Sequence, residues 1–372
     1  MLTSYIITIL SFIAVISVIV FVHEFGHYIV AKLCGVKIEV FSLGFGKEIC
    51  GRYDKSGTRW KICMLPFGGY VKMYGDSSEA SSPAEEIEHY SPAEKAKTFH
   101  YKPLYQKAAI VAAGPIANFI LTIAIFTFFI FNNGLISNEP IIGEVLKDTP
   151  AQAAGLKVDD RILQIDDKVI VSFKDIFYTM ITNIGTPVNL KILRDGKELQ
   201  LTITPKEISE KDDLGNEIKR PIIGIKSKKF KIEDVGLARA VVEATKQTYS
   251  FCALNLKAIS QMIVGDRNVS ENIKGPIGMA KMSGQAAEKG LDYWFGFMAS
   301  ISASIGLINL FPIPVLDGGH LLYYTIEAVF RRPLAKRYQE YGMRIGMSIV
   351  LMFMTFAVLN DIYRWLLTFN VQ

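Results

Sequence analysis

The sequence predicts a polytopic α-helical membrane protein with four transmembrane helices, a β-hairpin or strand region on the cytoplasmic side and one extracytoplasmic α+β domain. Of its 372 residues, 50% are hydrophobic and 21% are charged, and the mean hydropathy is +0.26. Four apolar runs are long enough to cross a bilayer. Between the second and third runs, short apolar stretches alternate with turn residues, as in a compact soluble domain. These observations together indicate several membrane spans and one soluble module.

The four apolar runs give the predicted transmembrane segments. No Lys or Arg precedes the first run and no small-x-small cleavage site follows it, so we interpret it as a retained span. The third run ends in two prolines, which cannot lie inside a regular helix, so this segment is predicted to be broken. The four segments are residues 1–34, 108–131, 291–330 and 341–368.

The distribution of basic residues predicts the orientation in the membrane. The segment from Lys32 to Lys107 carries twelve Lys and Arg, and the turn from Arg331 to Arg344 carries five. The positive-inside rule therefore places these two segments in the cytoplasm and both termini outside. The long segment between the second and third spans then also lies outside, and the C-terminal end of the first span lies near the cytoplasmic side.

Residues 35–107 are predicted to form the cytoplasmic strand region and a loop. Strands are expected at Val36–Phe41, Trp60–Met64 and Tyr70–Met73, interrupted by glycines. The motif Pro66–Tyr70 is either a turn or a place where another backbone comes close. The polar stretch Ser77–Thr98 is expected to be a mobile loop.

The extracytoplasmic part is predicted to contain two regions. Residues 138–230 form the α+β domain, whose last hairpin turns at residues 194–197. Residues 231–290 form an amphipathic helix, Val235–Val264, which lies along the membrane surface, and a polar linker to the third span.

The segment His23-Glu24-Phe25-Gly26-His27 ends the first apolar run and is the main candidate for a catalytic site. Residues four apart lie on one helix face, so His23 and His27 can bind one metal ion, and Glu24 can act as a base beside them. The same spacing also occurs by chance in ordinary helices. Near the end of a membrane span, however, inserting each ionisable side chain into the membrane costs up to roughly 2.5–3.5 kcal/mol of free energy, unless the side chain is paired or has a function there. The pattern therefore indicates an intramembrane zinc site.

The best candidate for a third zinc ligand is Asp317, because catalytic zinc usually takes three protein ligands. It follows the break made by Pro312 and Pro314, and non-helical backbone at membrane depth is tolerated where it lines a cavity. The alternative is that Asp317 only caps the helix that follows. His320 is either a fourth ligand or a packing residue.

Two asparagines in apolar spans remain open to two interpretations. Asn309 either contacts a substrate carbonyl or joins helices. Asn118 belongs to a predicted second polar break, Gly114–Asn118, and either lines the same cavity or makes a helix contact. His89 and His100 lie in the loop and are expected to have no role in metal binding.

Composition excludes other classes of site and partner. Cys34, Cys50, Cys63 and Cys252 have neither a zinc-binding spacing nor the pattern of a disulfide framework. The net charge is only +5 and the basic residues are scattered, so no nucleic-acid binding is expected.

With these motifs, the chain resembles the site-2 proteases, intramembrane zinc metalloproteases, and within them the regulator-of-sigma-E (RseP-like) group. The resemblance rests on His23–His27, Pro66–Tyr70, Gly114–Phe119 and Asn309–His320 and covers nearly the whole chain. It implies His23, His27 and Asp317 as zinc ligands, Glu24 as the base and Asn309 as a substrate contact. It also implies that the external module is a PDZ domain. Many relatives carry two such domains, whereas this chain has room for one.

The hypothesis that follows is a zinc endopeptidase of a bacterial inner membrane that cleaves transmembrane segments. Its partners would be the lipid bilayer and single-span proteins shortened beforehand by another protease, such as an anti-sigma factor or remnant signal peptides. Gly68 and Gly69 would offer a strand edge to an extended substrate, and the break at Pro312 and Pro314 would leave room beside the metal. The alternatives are a membrane metal carrier or transporter and a non-catalytic PDZ scaffold.

Overall fold

The computed structural model describes residues 2–76, 85–137, 139–181, 183–211, 217–228, 231–265, 269–332 and 334–369. Its α-helices, in chain order, are α1 (Leu2–Leu33), α2 (Pro92–Lys95), α3 (Leu104–Asn133), α4 (Pro150–Ala153), α5 (Phe173–Ile181), α6 (Leu237–Val264), α7 (Val269–Asn272), α8 (Pro276–Lys289), α9 (Leu291–Asn309), α10 (Asp317–Phe330) and α11 (Lys336–Phe369). A short 3₁₀ helix, Glu85–His89, precedes α2.

The strands form one two-stranded sheet early in the chain and several small sheets in its middle third. They are β1 (Ile38–Tyr53), β2 (Arg59–Met73), β3 (Leu135–Ser137), β4 (Ile142–Val145), β5 (Arg161–Ile165), β6 (Lys168–Val169), β7 (Val188–Arg194), β8 (Lys197–Ile203), β9 (Lys206–Lys211), β10 (Glu217–Ile222), β11 (Ile225–Ser227) and β12 (Lys231–Glu233).

Among the described residues, four helices are long and apolar enough to cross a membrane, as the sequence predicts. These segments are Ser4–Leu33, Leu104–Asn133, Leu291–Asn309 and Arg337–Arg364, and they lie within α1, α3, α9 and α11. The chain also divides into two compact units, one of residues 1–126 and 269–367 and one of residues 127–268 and 368–372. The first unit contains the candidate site.

In the first unit, β1 and β2 form a hairpin with repeated register shifts. Residues 40–43 of β1 have partners both at residues 59–62 and at residues 69–72 of β2, so the first half of β1 lies between the two ends of β2. The predicted strands are therefore parts of two long strands, and residues 48–53, which were not predicted, pair with residues 59–63. The motif Pro66–Tyr70 lies inside β2, so the first of its two alternatives, a turn, is not observed.

Aromatic side chains join this hairpin to α1. Phe41 stacks on Trp60 with their ring centroids 4.2 Å apart, and Tyr28 of α1 contacts both rings. These residues belong to a buried cluster that also includes Val71 and Ile110. The hairpin is therefore anchored to the half of α1 that carries the two histidines.

The predicted mobile loop is ordered over its second half. Ser91 and Glu94 form a reciprocal capping box at the start of α2, and Ile87 and Thr98 are buried. The expectation of mobility is wrong for residues 85–98, because these apolar and capping contacts stabilise them. Residues 77–84 lie outside the described residues.

The predicted linker before the third span contains a helix, α8, which the sequence did not reveal. Ser283 of α8 contacts Ser11 of α1, with 2.6 Å between their hydroxyl oxygens, and Trp294 Nε1 donates to the same Ser11. α8 contains glycine, serine and lysine and has no membrane-length apolar run, so its composition resembles a polar link. α6 agrees with the predicted amphipathic helix.

α3 continues through Pro115, so the predicted polar break at Gly114–Asn118 is also wrong. Proline removes one backbone hydrogen-bond donor, but in membrane helices neighbouring groups can compensate for such a loss. The third predicted span, in contrast, is broken as expected, since α9 ends at Asn309 and α10 begins at Asp317.

The second unit contains an α+β module. Its four-stranded sheet has the order β6-β5-β7-β8, and β4 pairs with β11. Branched apolar side chains from the strands fill its core together with Ala151 of α4 and Leu156, which follows α4. Asp160, which is fully buried, accepts two hydrogen bonds from Arg194, and this pairing raises the pKa of the Arg194 guanidinium. The ion pair thus ties the loop after α4 to β7.

Candidate metal centre

α1 places His23 and His27 on one face because a helix brings residues four apart next to each other. The Nε2 atoms of the two rings lie 3.3 Å apart. α10 supplies the third side chain, since Asp317 is its first residue and follows the break after α9. Asp317 Oδ2 lies 3.2 Å from His23 Nε2 and 3.5 Å from His27 Nε2.

These three atoms have the spacing of a zinc site. A tetrahedral centre with bonds of about 2.0–2.1 Å places neighbouring ligand atoms roughly 3.3–3.4 Å apart. Asp317 Oδ2 is buried and has no hydrogen bond from any described residue, which is costly unless something else binds it. No other group of three or more histidine, cysteine or acidic residues among the described residues has comparable spacing. The donor set therefore fits a zinc ion with one position left for substrate or water.

The helix cap considered for Asp317 is not observed, because the N-cap residue of α10 is Leu316 and Asp317 lies inside the helix. The two glycines that follow explain how α10 starts beside the break. A Cβ on Gly318 would collide with the carbonyls of Leu310 and Phe311, and one on Gly319 with that of Ile313. Only glycine allows this close return of the chain, which brings Asp317 to the histidines.

α3 closes another side of the site and orients His27. The Nδ1 atom of His27 lies 2.8 Å from the carbonyl oxygen of Ile110, which can accept its proton. A histidine that donates from Nδ1 keeps its Nε2 lone pair free for a metal. A Cβ on Gly114 of α3 would collide with His27 Nε2 and would lie 2.8 Å from His23 Cε1. Glycine at this position is thus required for α3 to approach the two rings.

Glu24 is half-buried next to the ligand group, and β2 passes directly beside it. A Cβ on Gly69 would lie 3.0 Å from Glu24 Cγ and 2.7 Å from the carbonyl oxygen of Ser42. Of the two sequence interpretations of Pro66–Tyr70, the close approach of another backbone is therefore the one observed. Gly68 has φ of +110° and contacts Phe45 rather than Glu24.

The remaining predicted site residues lie around the break. Asn309 is the last residue of α9 and is partly buried. Pro314 packs against Gly346 of α11, whose missing Cβ leaves room for the Pro314 carbonyl, and Pro312 is exposed. His320 contacts Tyr323 and does not belong to the three-residue group. His100 lies 2.8 Å from the buried carboxylate of Asp76, away from the ligand atoms.

For Asn118, the sequence left two interpretations open, a cavity-lining residue or a helix contact. It is fully buried, and its Nδ2 atom lies 3.2 Å from His23 Nδ1. The signal that could have found it is its helical phase, because it lies four residues after Gly114, on the face of α3 that meets the two histidines.

Comparison with known proteins decides the family. The profile described as peptidase family M50 matches residues 11–353. The chain belongs to this family. A protein of Rhizobium meliloti, provisionally assigned as a zinc metalloprotease, is 41% identical over 364 residues, which are 96% of this chain and 97% of that protein. The metalloprotease MmpA of Caulobacter vibrioides is 36% identical over 385 residues, covering 97% of this chain and 96% of its own.

The M50 assignment makes the chain a zinc metalloprotease of the site-2 protease type with membrane helices. It favours the protease over the carrier and the scaffold considered from the sequence. Among solved structures, the PDZ domain of an SdrC-like protein (Lmo2051) from Listeria monocytogenes aligns with 25% of this chain and 90% of its own, at 22% identity and a TM-score of 0.20. A TM-score this low does not establish a shared fold.

Proposed function

We propose that the protein is an intramembrane endopeptidase that cleaves single-span membrane proteins within or at the edge of their transmembrane segment. His23, His27 and Asp317 hold the zinc ion in this proposal, and Glu24 is the general base. The observation that supports it best is the meeting of three donor atoms, 3.2–3.5 Å apart, from two separate apolar segments beside Glu24.

Each residue of the site has a part in peptide hydrolysis. A bound zinc ion supplies Lewis acidity toward water and the scissile carbonyl. Glu24 takes a proton from the attacking water and delivers it to the leaving amine nitrogen, so that the C–N bond breaks with no net change in protonation. Asn309, at the end of α9, would donate a hydrogen bond to the substrate carbonyl as negative charge develops on it.

A helical substrate must unwind before its carbonyls become accessible, because they are held in its own hydrogen bonds. β2 supports this step, since its Gly69 brings extended backbone against the Glu24 side chain. Residues 69–72 pair with β1, and no described strand pairs with their other edge. An extended substrate would add at this edge.

The proposed setting is a bacterial inner membrane, with the termini and the α+β module outside and the site near the cytoplasmic face. The module would act as a PDZ domain that admits substrates according to their external part. Substrates would be membrane proteins already shortened by another protease, such as an anti-sigma factor or remnant signal peptides.

The test is cleavage of a single-span substrate after both proteins are reconstituted into liposomes. Mass spectrometry of the products should place the cut inside or at the edge of the apolar segment. Glu24→Gln, which keeps the shape of the side chain, is the matched control and should cleave roughly 100- to 10,000-fold more slowly. Cuts confined to the soluble part of the substrate would contradict the intramembrane proposal, although the chain would remain a protease.

A further inference from the structure

Asn118 is the one fully buried amide among the largest enclosed side chains of the described residues, and its two polar atoms have unequal surroundings. Nδ2 lies 3.2 Å from His23 Nδ1. Oδ1 is buried without a hydrogen-bond partner among the described residues. An orphaned amide oxygen beside a candidate ligand requires an explanation, since buried polar atoms normally have partners.

The chemistry of His23 supplies that explanation. A neutral imidazole carries its proton on one nitrogen and can bind a metal through the other. If Nε2 binds zinc, the proton resides on Nδ1, and Nδ1 then needs an acceptor rather than the donor Nδ2. A half-turn of the Asn118 amide exchanges its oxygen and nitrogen, which have nearly the same shape. Oδ1 then accepts from His23 Nδ1, and the orphaned oxygen gains a partner.

His27 already has the arrangement that the rotated Asn118 amide would give His23, which supports this assignment. Its Nδ1 faces the carbonyl oxygen of Ile110, also on α3 and about two helical turns from Asn118. α3 would therefore supply one oxygen acceptor to each histidine, so that both rings present Nε2 to the Asp317 carboxylate.

The backbone at Asn118 is held in place by α9. Ser302 of α9 donates to the Asn118 carbonyl oxygen at 3.0 Å, and the Thr122 hydroxyl of α3 lies 3.0 Å from both this oxygen and the Ala299 carbonyl oxygen of α9. A Cβ on Gly306 would lie 3.3 Å from Asn118 Cβ, so α9 and α3 are in close contact at this point. The amide therefore projects from a fixed position toward His23.

We propose that Asn118 is the positioning residue of His23, and that its side-chain oxygen accepts the Nδ1 proton and thereby presents Nε2 to the zinc ion. This inference rests on the proposed ligand set. In this proposal Asn118 touches neither the substrate nor the metal, and it affects zinc binding by orienting the His23 imidazole ring. Outer hydrogen-bond partners of this kind typically change metal affinity 10- to 100-fold.

The experiment measures zinc affinity by chelator competition on the purified full-length protein in detergent. Asn118→Leu removes the acceptor and should raise the zinc dissociation constant roughly 10- to 100-fold. Asn118→Asp keeps an acceptor and should bind zinc within a few-fold of wild type. Asn132→Leu is the matched control on the same helix, because within the described part of the chain the exposed Asn132 amide donates to the Phe128 carbonyl alone.

Zinc affinity of Asn118→Leu equal to that of wild type, or an Asn118→Asp variant as weak as the leucine variant, would overturn the inference. Asn118→Ala removes the amide without adding bulk and supplies the measurement if the leucine variant fails to fold. On wild type itself, histidine-selective ¹⁵N NMR should show His23 protonated at Nδ1, and an unprotonated Nδ1 would also refute the proposal. Wild type that binds no zinc would instead refute the ligand set from which the inference starts.

Discussion

Gly26 and Gly114 allow α1 and α3 to approach each other at the metal centre. A Cβ on Gly26 would collide with the Ala113 carbonyl, and one on Gly114 would collide with His27. The two glycines face opposite helices, so each leaves room for the other chain. The H-E-x-x-H segment therefore depends on the glycine at its fourth position, Gly26, as well as on its metal ligands.

Gly114→Ala should lower both the zinc content and the melting temperature, because the new methyl group would occupy the space of the His27 ring. Helix propensity alone predicts the opposite sign, since alanine is favoured over glycine by about 1 kcal/mol in a helix. Gly296→Ala in α9 is the control, because a Cβ there has no neighbour within 4 Å. Metal analysis and thermal unfolding check both variants. A stabilised Gly114→Ala protein with full zinc would contradict the packing described.

Some residues of the site were predictable and others were not. His23, Glu24, His27 and Asp317 follow from residue types that are costly in apolar spans, so the sequence identifies them as candidates. The helical phase of Asn118 relative to Gly114 gives its face on α3, but the sequence does not show that this face packs against the histidines of α1. The close approach of Gly69 to Glu24 was foreseen only as one of two alternatives.

At the scale of elements, α8 is held by the fourth long helix, α11. The N-cap of α8 is Gly275, which has no side chain, and the Asp361 carboxylate accepts instead from the backbone N–H groups of Gly275 and Gly278 at 3.0 and 2.8 Å. Asn360 of the same helix donates to the carbonyls of Ser270 and Ile273. Because the cap comes from a helix so distant in sequence, the start of α8 has no capping side chain of its own that sequence reasoning could find.

Asp361→Ala should therefore destabilise the protein by about 1–2 kcal/mol, the usual cost of losing a helix cap. Glu340→Gln, an exposed substitution on the same helix, should leave the melting temperature unchanged. Thermal unfolding in detergent measures both. Equal melting temperatures for Asp361→Ala and wild type would show that the cap contributes nothing.

The tip of the β1–β2 hairpin is organised by Asp54. Burial raises the pKa of this carboxyl, but hydrogen bonds from Ser56, Thr58 and Trp60 outweigh burial and hold the pKa well below its ordinary value of 3.8. Tyr28 of α1 also donates to it at 3.1 Å. Asp54 thus connects the hairpin tip with the helix of the metal site.

Because the folded pKa of Asp54 is lowered, its contribution to stability is present above pH 3.8 and is lost as the pH falls below that value. Asp54→Asn should lower the melting temperature at neutral pH, and the difference from wild type should shrink below pH 3.8. Unfolding curves across this range test the sign. A difference that grows on acidification would contradict it.

At the scale of the whole molecule, the number of long apolar helices follows from hydropathy, while their sidedness is inferred from the basic segments alone. A single cysteine at Lys55, in the hairpin turn, should be protected from a membrane-impermeant maleimide in intact cells. A single cysteine at Lys197, exposed in the α+β module, should be labelled. Both are placed in a background without the four natural cysteines, all of which are free thiols. The reverse labelling pattern would invert the proposed topology.

We propose a zinc protease in which Glu24 is the base beside His23, His27 and Asp317. The most direct measurement determines zinc content and cleavage of a single-span substrate on the same samples of wild type and Glu24→Gln. We expect about one zinc per chain in both proteins, with cleavage reduced roughly 100- to 10,000-fold in the variant. Wild type without zinc, or a Glu24→Gln variant that cleaves at the wild-type rate, would contradict it.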